Sequence, residues 1–160
     1  MTHTEYPAAL VAAMVPPRAQ KSSYPAPLAA LMGERTKHVL GDLFGLSQFG
    51  VNLVRLGPQA RSALRHAHTV EDEFVYILQG HPTLHNNAGK HALAPGMCAG
   101  FKAGTGDAHC LSNDSNEEVL YLEVGTRSDD DSATYPDDDM AVRKVGSQWV
   151  FTHKDGSDYD

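Results

Sequence analysis

The chain has 160 residues, which is enough for one domain with a sizeable hydrophobic core and short for two domains of typical size. Apolar residues make up 41% of the sequence and charged residues 21%, a balance that is typical of a globular protein and excludes wholesale disorder. Thirteen Lys and Arg against twenty Asp and Glu give a formal net charge of −7, which would repel a phosphate backbone, so we expect no nucleic-acid partner.

The N-terminal region lacks the pattern of a membrane segment or a signal peptide. Its most apolar stretch, residues 8–15, ends at Pro16 and Pro17 and is far shorter than the roughly 20 residues that cross a bilayer. No Lys or Arg precedes this stretch, so the basic region of a signal peptide is missing. The two cysteines, Cys98 and Cys110, fit free thiols in a reducing compartment. We therefore predict a cytoplasmic protein without a membrane span.

The chain divides into three parts by composition. Residues 1–27 are interrupted by five prolines, which predicts an irregular N-terminal arm laid on the surface. From Phe49 onward, short runs rich in Val, Leu, Ile, Tyr and Phe are bounded by turn residues at intervals typical of an all-β barrel or sandwich. We assign residues 28–125 to this barrel. Eight strands are predicted, at residues 50–56, 62–68, 73–79, 83–86, 91–93, 97–101, 109–112 and 119–124, a number that suits a jelly roll.

Residues 126–160 are predicted to form an acidic loop followed by a C-terminal tail that packs on the barrel. The loop contains two runs of three aspartates, residues 129–131 and 137–139, which lack the alternating spacing and the closing Glu of a calcium-binding hand. We interpret these aspartates as a solvated loop. The tail carries Trp149, Val150 and Phe151, which are large enough to dock on the barrel or on a neighbouring subunit.

Four residues on the predicted strands form a candidate metal site. His66 and His68 are two positions apart on a strand, so both side chains leave the same face. Residues 69–72 form a turn, and strand parity then directs Glu73 toward the two histidines. His109, at the start of a later strand, would complete a set of three imidazoles and one carboxylate. This set suits zinc, iron, manganese, nickel or cobalt, and on an octahedral ion it leaves two positions open for substrate or water.

Other polar residues near this set have simpler interpretations. Glu71 is the alternative carboxylate because it is three residues from His68, but strand parity favours Glu73. Three histidines of one predicted hairpin lack a carboxylate partner and are expected to face solvent; they are His81, His85 and His91. Lys102 precedes the loop that leads to His109 and could neutralise an anionic substrate at the barrel mouth, although an exposed lysine that aids solubility is the simpler interpretation.

The order of these residues resembles the two sequence motifs of the cupin superfamily. The first motif is a glycine, two histidines, a glutamate and a closing glycine, matched here by Gly57, His66, His68, Glu73 and Gly80. The second motif is a glycine, a proline, a glycine, a histidine and an asparagine, to which this sequence is similar at Gly96, Lys102, Gly104, His109 and Asn113. Lys102 stands where the family has a proline, and four residues rather than two separate Gly104 from His109.

The resemblance extends over about residues 20–157 and implies a cupin double-stranded β-helix, which is a jelly-roll barrel. The short connection between Gly80 and Gly96 is similar to that of small, single-domain bacterial cupins. Residues 71–76, 98–101 and 151–156 resemble a bacterial subfamily called sugar-phosphate-isomerase-like. This likeness implies one divalent metal ion and a small-molecule ligand or substrate.

Three functions are compatible with this set. In a metal-dependent isomerase, the ion polarises a carbonyl group and a nearby base moves a proton. An iron-dependent dioxygenase would use one open position for dioxygen, and a non-catalytic cupin would only bind a small ligand. A titratable residue in the pocket beyond the four ligands would favour an enzyme, and the sequence alone does not identify one. Cupin barrels commonly pair, so we also predict a homodimer.

Overall fold

The computed structural model describes residues 6–20, 22–146 and 148–159, and in these residues the chain is almost entirely β-structure. The strands are β1 Arg35–Val39, β2 Phe49–Leu56, β3 Ala67–His68, β4 Glu73–Gln79, β5 Thr83–Asn86, β6 Gly89–Ala92, β7 Cys98–Phe101, β8 Cys110–Ser112, β9 Val119–Thr126, β10 Ser132–Thr134, β11 Ala141–Val145 and β12 Gln148–Thr152. One short helix, α1 Ala26–Ala29, and three 3₁₀ turns, Ala12–Met14, Ala30–Met32 and Gly41–Phe44, complete the described elements. Among these helical segments, none has the length and apolar character that crossing a bilayer requires.

The main sheet has five antiparallel strands in the order β1-β2-β9-β4-β7. Alternation along β4 determines which face is buried, because Val75 and Ile77 point into the barrel while the side chains between them point outward. Val54 on β2 and Tyr121 on β9 lie on the same inner face and are also fully buried. Leu84 and Leu111, from the facing sheet, close this core. The predicted all-β jelly roll is confirmed.

The facing sheet is built from two groups of strands, β6-β5-β8 and β12-β11-β10-β3. Isolated bridges between Arg61 and Ser112 and between His66 and His109 join the two groups. The strand predicted at residues 62–68 is therefore mostly irregular, and only β3 remains of it. The reason is that backbone N–H groups here bond to different partners, such as Ser62 to the Leu111 carbonyl and Leu64 to the Tyr24 hydroxyl, instead of to one ladder.

The acidic region expected to be a loop instead contains β10 and β11. Strand β10 pairs with β3 on one side and with β11 on the other, and β12 follows β11. A second hydrophobic cluster explains this pairing, because Ala133, Tyr135 and Val142 are buried together with Met32 and Leu64. Aromatic residues from both ends of the chain pack against this cluster; they include Tyr24, Trp149, Phe151 and Tyr159. Ser147 and Asp160 of the predicted tail lie outside the described residues.

The N-terminal segment runs beside β1, a strand that the sequence pattern did not predict. Residues 1–5 and Lys21 of the predicted arm lie outside the described residues. Over residues 6–20 the chain has no regular structure beyond the first 3₁₀ turn, and the Arg18 N–H donates to the Lys37 carbonyl at 2.9 Å. This bond brings Arg18 next to β1, whose Arg35 and Lys37 pair with inward-facing positions of β2.

Candidate metal centre

The four predicted ligands come from three places in the fold that meet at one end of the barrel. His66 and His109 form an antiparallel bridge in which the His109 N–H donates to the His66 carbonyl at 2.8 Å and the reverse bond measures 3.1 Å. His68 ends β3, and Glu73 opens β4 after the turn. The structure therefore brings together His66, His68 and Glu73, which strand parity directs toward one another, and it places His109 beside them.

The ligand atoms of His66, His68 and Glu73 are close enough to share one ion, and His109 lies beside Glu73. His66 Nε2 and His68 Nε2 are 3.1 Å apart, His68 Nε2 lies 4.0 Å from Glu73 Oε2, and His109 Nε2 lies 3.5 Å from Glu73 Oε1. Nitrogen and oxygen ligands about 2.1 Å from a transition metal are separated from one another by about 3 Å, so small side-chain adjustments of His66, His68 and Glu73 suffice. His66, His68 and Glu73 form a compact potential ligand group, with all three ligand atoms within 4.8 Å of one another, and His109 lies outside this group.

Hydrogen bonds orient the first two imidazoles. The Nδ1 of His66 lies 2.8 Å from the Leu64 carbonyl, which can only accept, so this nitrogen carries the proton and Nε2 keeps its lone pair. The Nδ1 of His68 lies 2.6 Å from Asp131 Oδ2. Both imidazoles thus have a partner behind them of the kind that metal-binding histidines have.

His109 is held by stacking instead. Its ring lies parallel to Phe101 with ring centroids 3.5 Å apart, and it is buried. Within the described part of the chain, neither of its ring nitrogens has a hydrogen-bond partner. Since a buried polar nitrogen without a partner costs free energy, an ion beside Glu73 would satisfy His109 Nε2. The donor set therefore fits a divalent metal.

The charge state of the site also suits a metal. Burial lowers the pKa of His66 to about 4, so this imidazole is neutral at neutral pH and can donate its lone pair. Burial alone would raise the pKa of Glu73, but the neighbouring imidazoles, His109 foremost, lower it overall. Glu73 is therefore ionised, and the centre offers neutral nitrogens with one anionic oxygen.

Asp131 corrects the prediction of a solvated acidic loop. Asp131 is only 1% exposed. Besides its contact with His68, its carboxylate accepts hydrogen bonds from the N–H groups of Val70 and Glu71 at 2.9 and 3.1 Å. Nothing in the run of three aspartates distinguished this one. Asp131, Ala133 and Tyr135 alternate with less buried residues, as one face of a strand does. In the sequence this pattern is too short to recognise.

The centre opens into a pocket of about 1150 Å³ that is lined by His66, His68 and Glu73 and by residues that the sequence analysis missed. Cationic side chains reach it from the arm and from β1; they are Arg18, Arg35 and Lys37. Glu123, on the inner face of β9, accepts hydrogen bonds from Lys37 Nζ at 2.6 Å and from Asn52 Nδ2 at 3.0 Å. Glu123 is thus a titratable pocket residue beyond the four candidate ligands.

Lys102, predicted to bind substrate, does not line this pocket. It is exposed and borders a much smaller pocket of about 10 Å³ beside His68 and His109. Glu71, the alternative carboxylate, is bonded to Lys144 and to the Ser128 N–H. Of the three hairpin histidines, His81 and His91 are exposed, and His85 is half-buried with its Nε2 2.7 Å from Ser112 Oγ.

Comparisons with known proteins agree with this geometry. A family model described as a cupin domain matches residues 52–125. A sugar phosphate isomerase of the cupin superfamily from Silicibacter pomeroyi is 43% identical, with a TM-score of 0.89, over 95% of this chain and 96% of that one. A provisionally named sugar phosphate isomerase from Acidithiobacillus ferrooxidans is 31% identical, with a TM-score of 0.71, over 79% of this chain and 80% of that one.

More distant similarity extends to the fold alone. A polyketide cyclase from Streptomyces resistomycificus has a TM-score of 0.61 at 16% identity, over 74% of this chain and 78% of that one. No curated protein sequence matches the chain. The matched cupin domain and the 43% identity over nearly the whole length establish the family: the chain belongs to the cupin superfamily, with sugar-phosphate-isomerase-like relatives.

Proposed function

We propose that this cupin is a metal-dependent isomerase that acts on a small, anionic, oxygen-rich substrate of the sugar-phosphate class. The observation that carries the proposal is that one pocket combines the candidate metal centre with five Arg and Lys side chains and with several carboxylates besides Glu73. Of these carboxylates, Glu123 lies on the inner face of the sheet beside Glu73. The names of the two relatives point to the same substrate class. A binding cupin without catalysis would more naturally have an apolar pocket.

The candidate ligands His66, His68, Glu73 and His109 would hold one divalent ion. When bound, such an ion supplies Lewis acidity, which polarises a carbonyl group and acidifies the C–H bond next to it. Arg18 would bind the anionic end of the substrate, because guanidinium groups form charge-assisted hydrogen bonds with phosphate oxygens. The identity of the metal is open among zinc, iron, manganese, nickel and cobalt.

Glu123 is the residue we assign to proton transfer. Its carboxylate would take the proton from the carbon next to the carbonyl and return it to the former carbonyl carbon, while the hydroxyl proton passes to the former carbonyl oxygen. Atoms and charge are thereby conserved between aldose and ketose. On the inner face of the sheet, Glu123 pairs with Val75 and Glu73 pairs with Gly125. Glu73 and Glu123 are therefore diagonal neighbours, a relation in which the backbones of two residues are about 7–8 Å apart.

The first test is the metal content of protein purified without a chelator or a histidine tag. We expect about one equivalent in the parent and none in the His66→Ala, His109→Ala double variant, because ligand loss removes the site. A His81→Ala, His91→Ala double variant is the matched control, since both of these histidines are exposed. Absence of metal from the parent, even after reconstitution, would refute the metal-dependent enzyme.

The second test is incorporation of solvent deuterium into a panel of aldose and ketose phosphates, followed by proton NMR. Glu123→Gln should slow exchange by about 10²–10⁴-fold without loss of metal, which is the range for removing a general base. Glu118→Gln, on a half-exposed carboxylate that binds Arg55 outside the pocket, is the control. Oxygen consumption by the iron-loaded protein would instead favour the dioxygenase, and binding of a sugar phosphate without exchange would favour the non-catalytic cupin.

We further propose that the protein is a homodimer that pairs through the outer face of the main sheet. On β4 the outward side chains Phe74, Tyr76 and Leu78 are 39–42% exposed, and they form a contiguous apolar strip. Light scattering after size exclusion should give a dimer at micromolar concentration, and Tyr76→Glu should give a folded monomer. A monomeric parent would contradict this proposal.

A cytoplasmic location is the remaining proposal. Cys98 and Cys110 are both free thiols, with Cys98 exposed, which fits a reducing compartment. Cell fractionation with antibody detection would test it, and recovery outside the cytoplasmic fraction would contradict it.

A further inference from the structure

We propose that Asp131 is a positioning residue of the metal centre, and that it links metal binding to the docking of β10 and the strands that follow it. The inference rests on the proposed function only in that the site binds a metal. It concerns a residue that the sequence pattern placed in a solvated loop and that belongs to neither family motif. It therefore assigns a role to the C-terminal region, which lies beyond the matched cupin domain.

The hydrogen bonds of Asp131 determine what His68 can do. Oδ1 accepts the N–H groups of Val70 and Glu71, and the buried carboxylate therefore has two fixed donors that stabilise its ionised form. Oδ2 then acts as an acceptor for His68 Nδ1, 2.6 Å away. His68 must carry its proton on Nδ1, which leaves the Nε2 lone pair directed at His66 Nε2 and Glu73.

Asp131 immediately precedes β10, and the pairing of β10 with β3 places its carboxylate beside His68. Ala133 pairs with His68, and the Thr69 N–H donates to the Ser132 carbonyl at 2.9 Å. Two residues further on, the Tyr135 ring stacks on the His66 imidazole with ring centroids 5.7 Å apart. Both histidines that precede the turn are thus supported from the β10 segment, on the side away from the barrel core.

This support has a thermodynamic consequence. If the ion binds tightly only when His68 is oriented by Asp131, the ion favours the state in which β10 is docked on β3. By the same linkage, weakening the docking of β10 weakens metal binding. The C-terminal strands would therefore gain protection from hydrogen exchange when metal is added.

A purely structural role for Asp131 is the competing explanation, since the same carboxylate anchors the turn at residues 69–71. Asp131→Asn separates the two roles. The amide oxygen can still accept the two backbone N–H groups, but the amide NH₂ then faces His68 Nδ1. His68 must respond by accepting at Nδ1 and placing its proton on Nε2, which removes the lone pair from the metal site while the turn is kept.

The experiment measures the metal affinity of the full chain by chelator competition, with Zn²⁺ and Co²⁺ as probes. We expect Asp131→Asn to bind 10–100-fold more weakly than the parent, the usual effect of losing such a partner, and Asp130→Asn to bind like the parent. Asp130 is the control because it is the adjacent carboxylate and is exposed. Equal affinity of the parent and Asp131→Asn would overturn the inference.

Two further measurements keep the result clear if Asp131→Asn does not fold. Long-range ¹H–¹⁵N NMR of the metal-free parent should show the Nδ1–H tautomer of His68, and an Nε2–H tautomer would overturn the inference without any variant. Hydrogen exchange of the parent should slow in β10–β12 when Zn²⁺ is added, and unchanged exchange there would refute the linkage. If the parent binds no metal, the proposed function fails, while the tautomer still reports on Asp131.

Discussion

Replacement of Gly80 by alanine tests how the closing glycine of the first motif supports the barrel. Gly80 has φ +78°, and a Cβ built on it would lie 2.5 Å from the Glu118 carbonyl oxygen and 2.9 Å from Val119 Cγ2. The first of these contacts is with backbone, which a side-chain rotation cannot relieve. An alanine in the left-handed region costs about 1 kcal/mol, and overpacking adds about 1–3 kcal/mol. We therefore expect Gly80→Ala to lower the free energy of unfolding by about 2–4 kcal/mol.

Gly96→Ala is the matched control, because Gly96 has φ +89° but no heavy atom lies within 4 Å of its built Cβ. It should show only the conformational cost of about 1 kcal/mol. Both variants equally reduce the entropy of the unfolded chain, so this effect cancels in the comparison. For a chain of this size the expected decreases in Tm are roughly 5–15 °C and 2–4 °C.

Urea unfolding of the metal-free proteins, followed by circular dichroism, gives both free energies under one condition. If Gly80→Ala and Gly96→Ala are destabilised equally, close packing of Gly80 against the start of β9 is not what requires glycine there. If Gly80→Ala is as stable as the parent, the left-handed conformation itself would be in question.

Two further predictions concern buried polar groups. Burial raises the pKa of the Cys110 thiol to about 11, so iodoacetamide at pH 8 should modify Cys98 in the native protein and reach Cys110 only after unfolding. Because an unfolded thiol loses its proton near pH 8.5, this group should make the protein less stable as pH rises from about 8.5 to 11; a constant stability would contradict it. The amide of Asn113 is fully buried and donates to three backbone carbonyls at 2.7–3.1 Å. Asn113→Asp should cost about 3 kcal/mol or more at pH 7 in urea unfolding and less near pH 4, where a protonated carboxyl can donate; the opposite pH trend would refute this account.

The strands that the sequence predicted well are those rich in apolar residues. In β4 the inner residues Val75 and Ile77 alternate with outward side chains, and the pattern gave the bounds of this strand correctly. The candidate ligands were also accessible to this reasoning, because two histidines with one residue between them must share a face of an extended chain. The four-residue turn at residues 69–72 then leads into the next strand, which Glu73 opens. The parts of the site that residues close together in the sequence form were therefore predictable.

Strand β1 was missed because its inner face is polar. Arg35 and Lys37 point toward the pocket, so hydrophobic alternation gives no signal for this strand. The contacts of Asp131 were missed for a different reason. The pairing of β10 with β3 joins positions more than 60 residues apart, and neither strand is long enough to show a pattern of its own.

The register of the main sheet explains why these polar residues are together. On β9 the inner face passes from Tyr121 to Glu123, and the paired positions change from apolar to polar at the same level, from Val54 to Asn52 on β2. On β4, Glu73 lies beyond Val75 in the same direction. The barrel interior thus has an apolar half that supplies stability and a polar half that holds the pocket. A charged residue in the inward phase of an otherwise apolar strand is therefore a signal for function, and by this criterion Glu123 could have been identified from the sequence, whereas Asp131 could not.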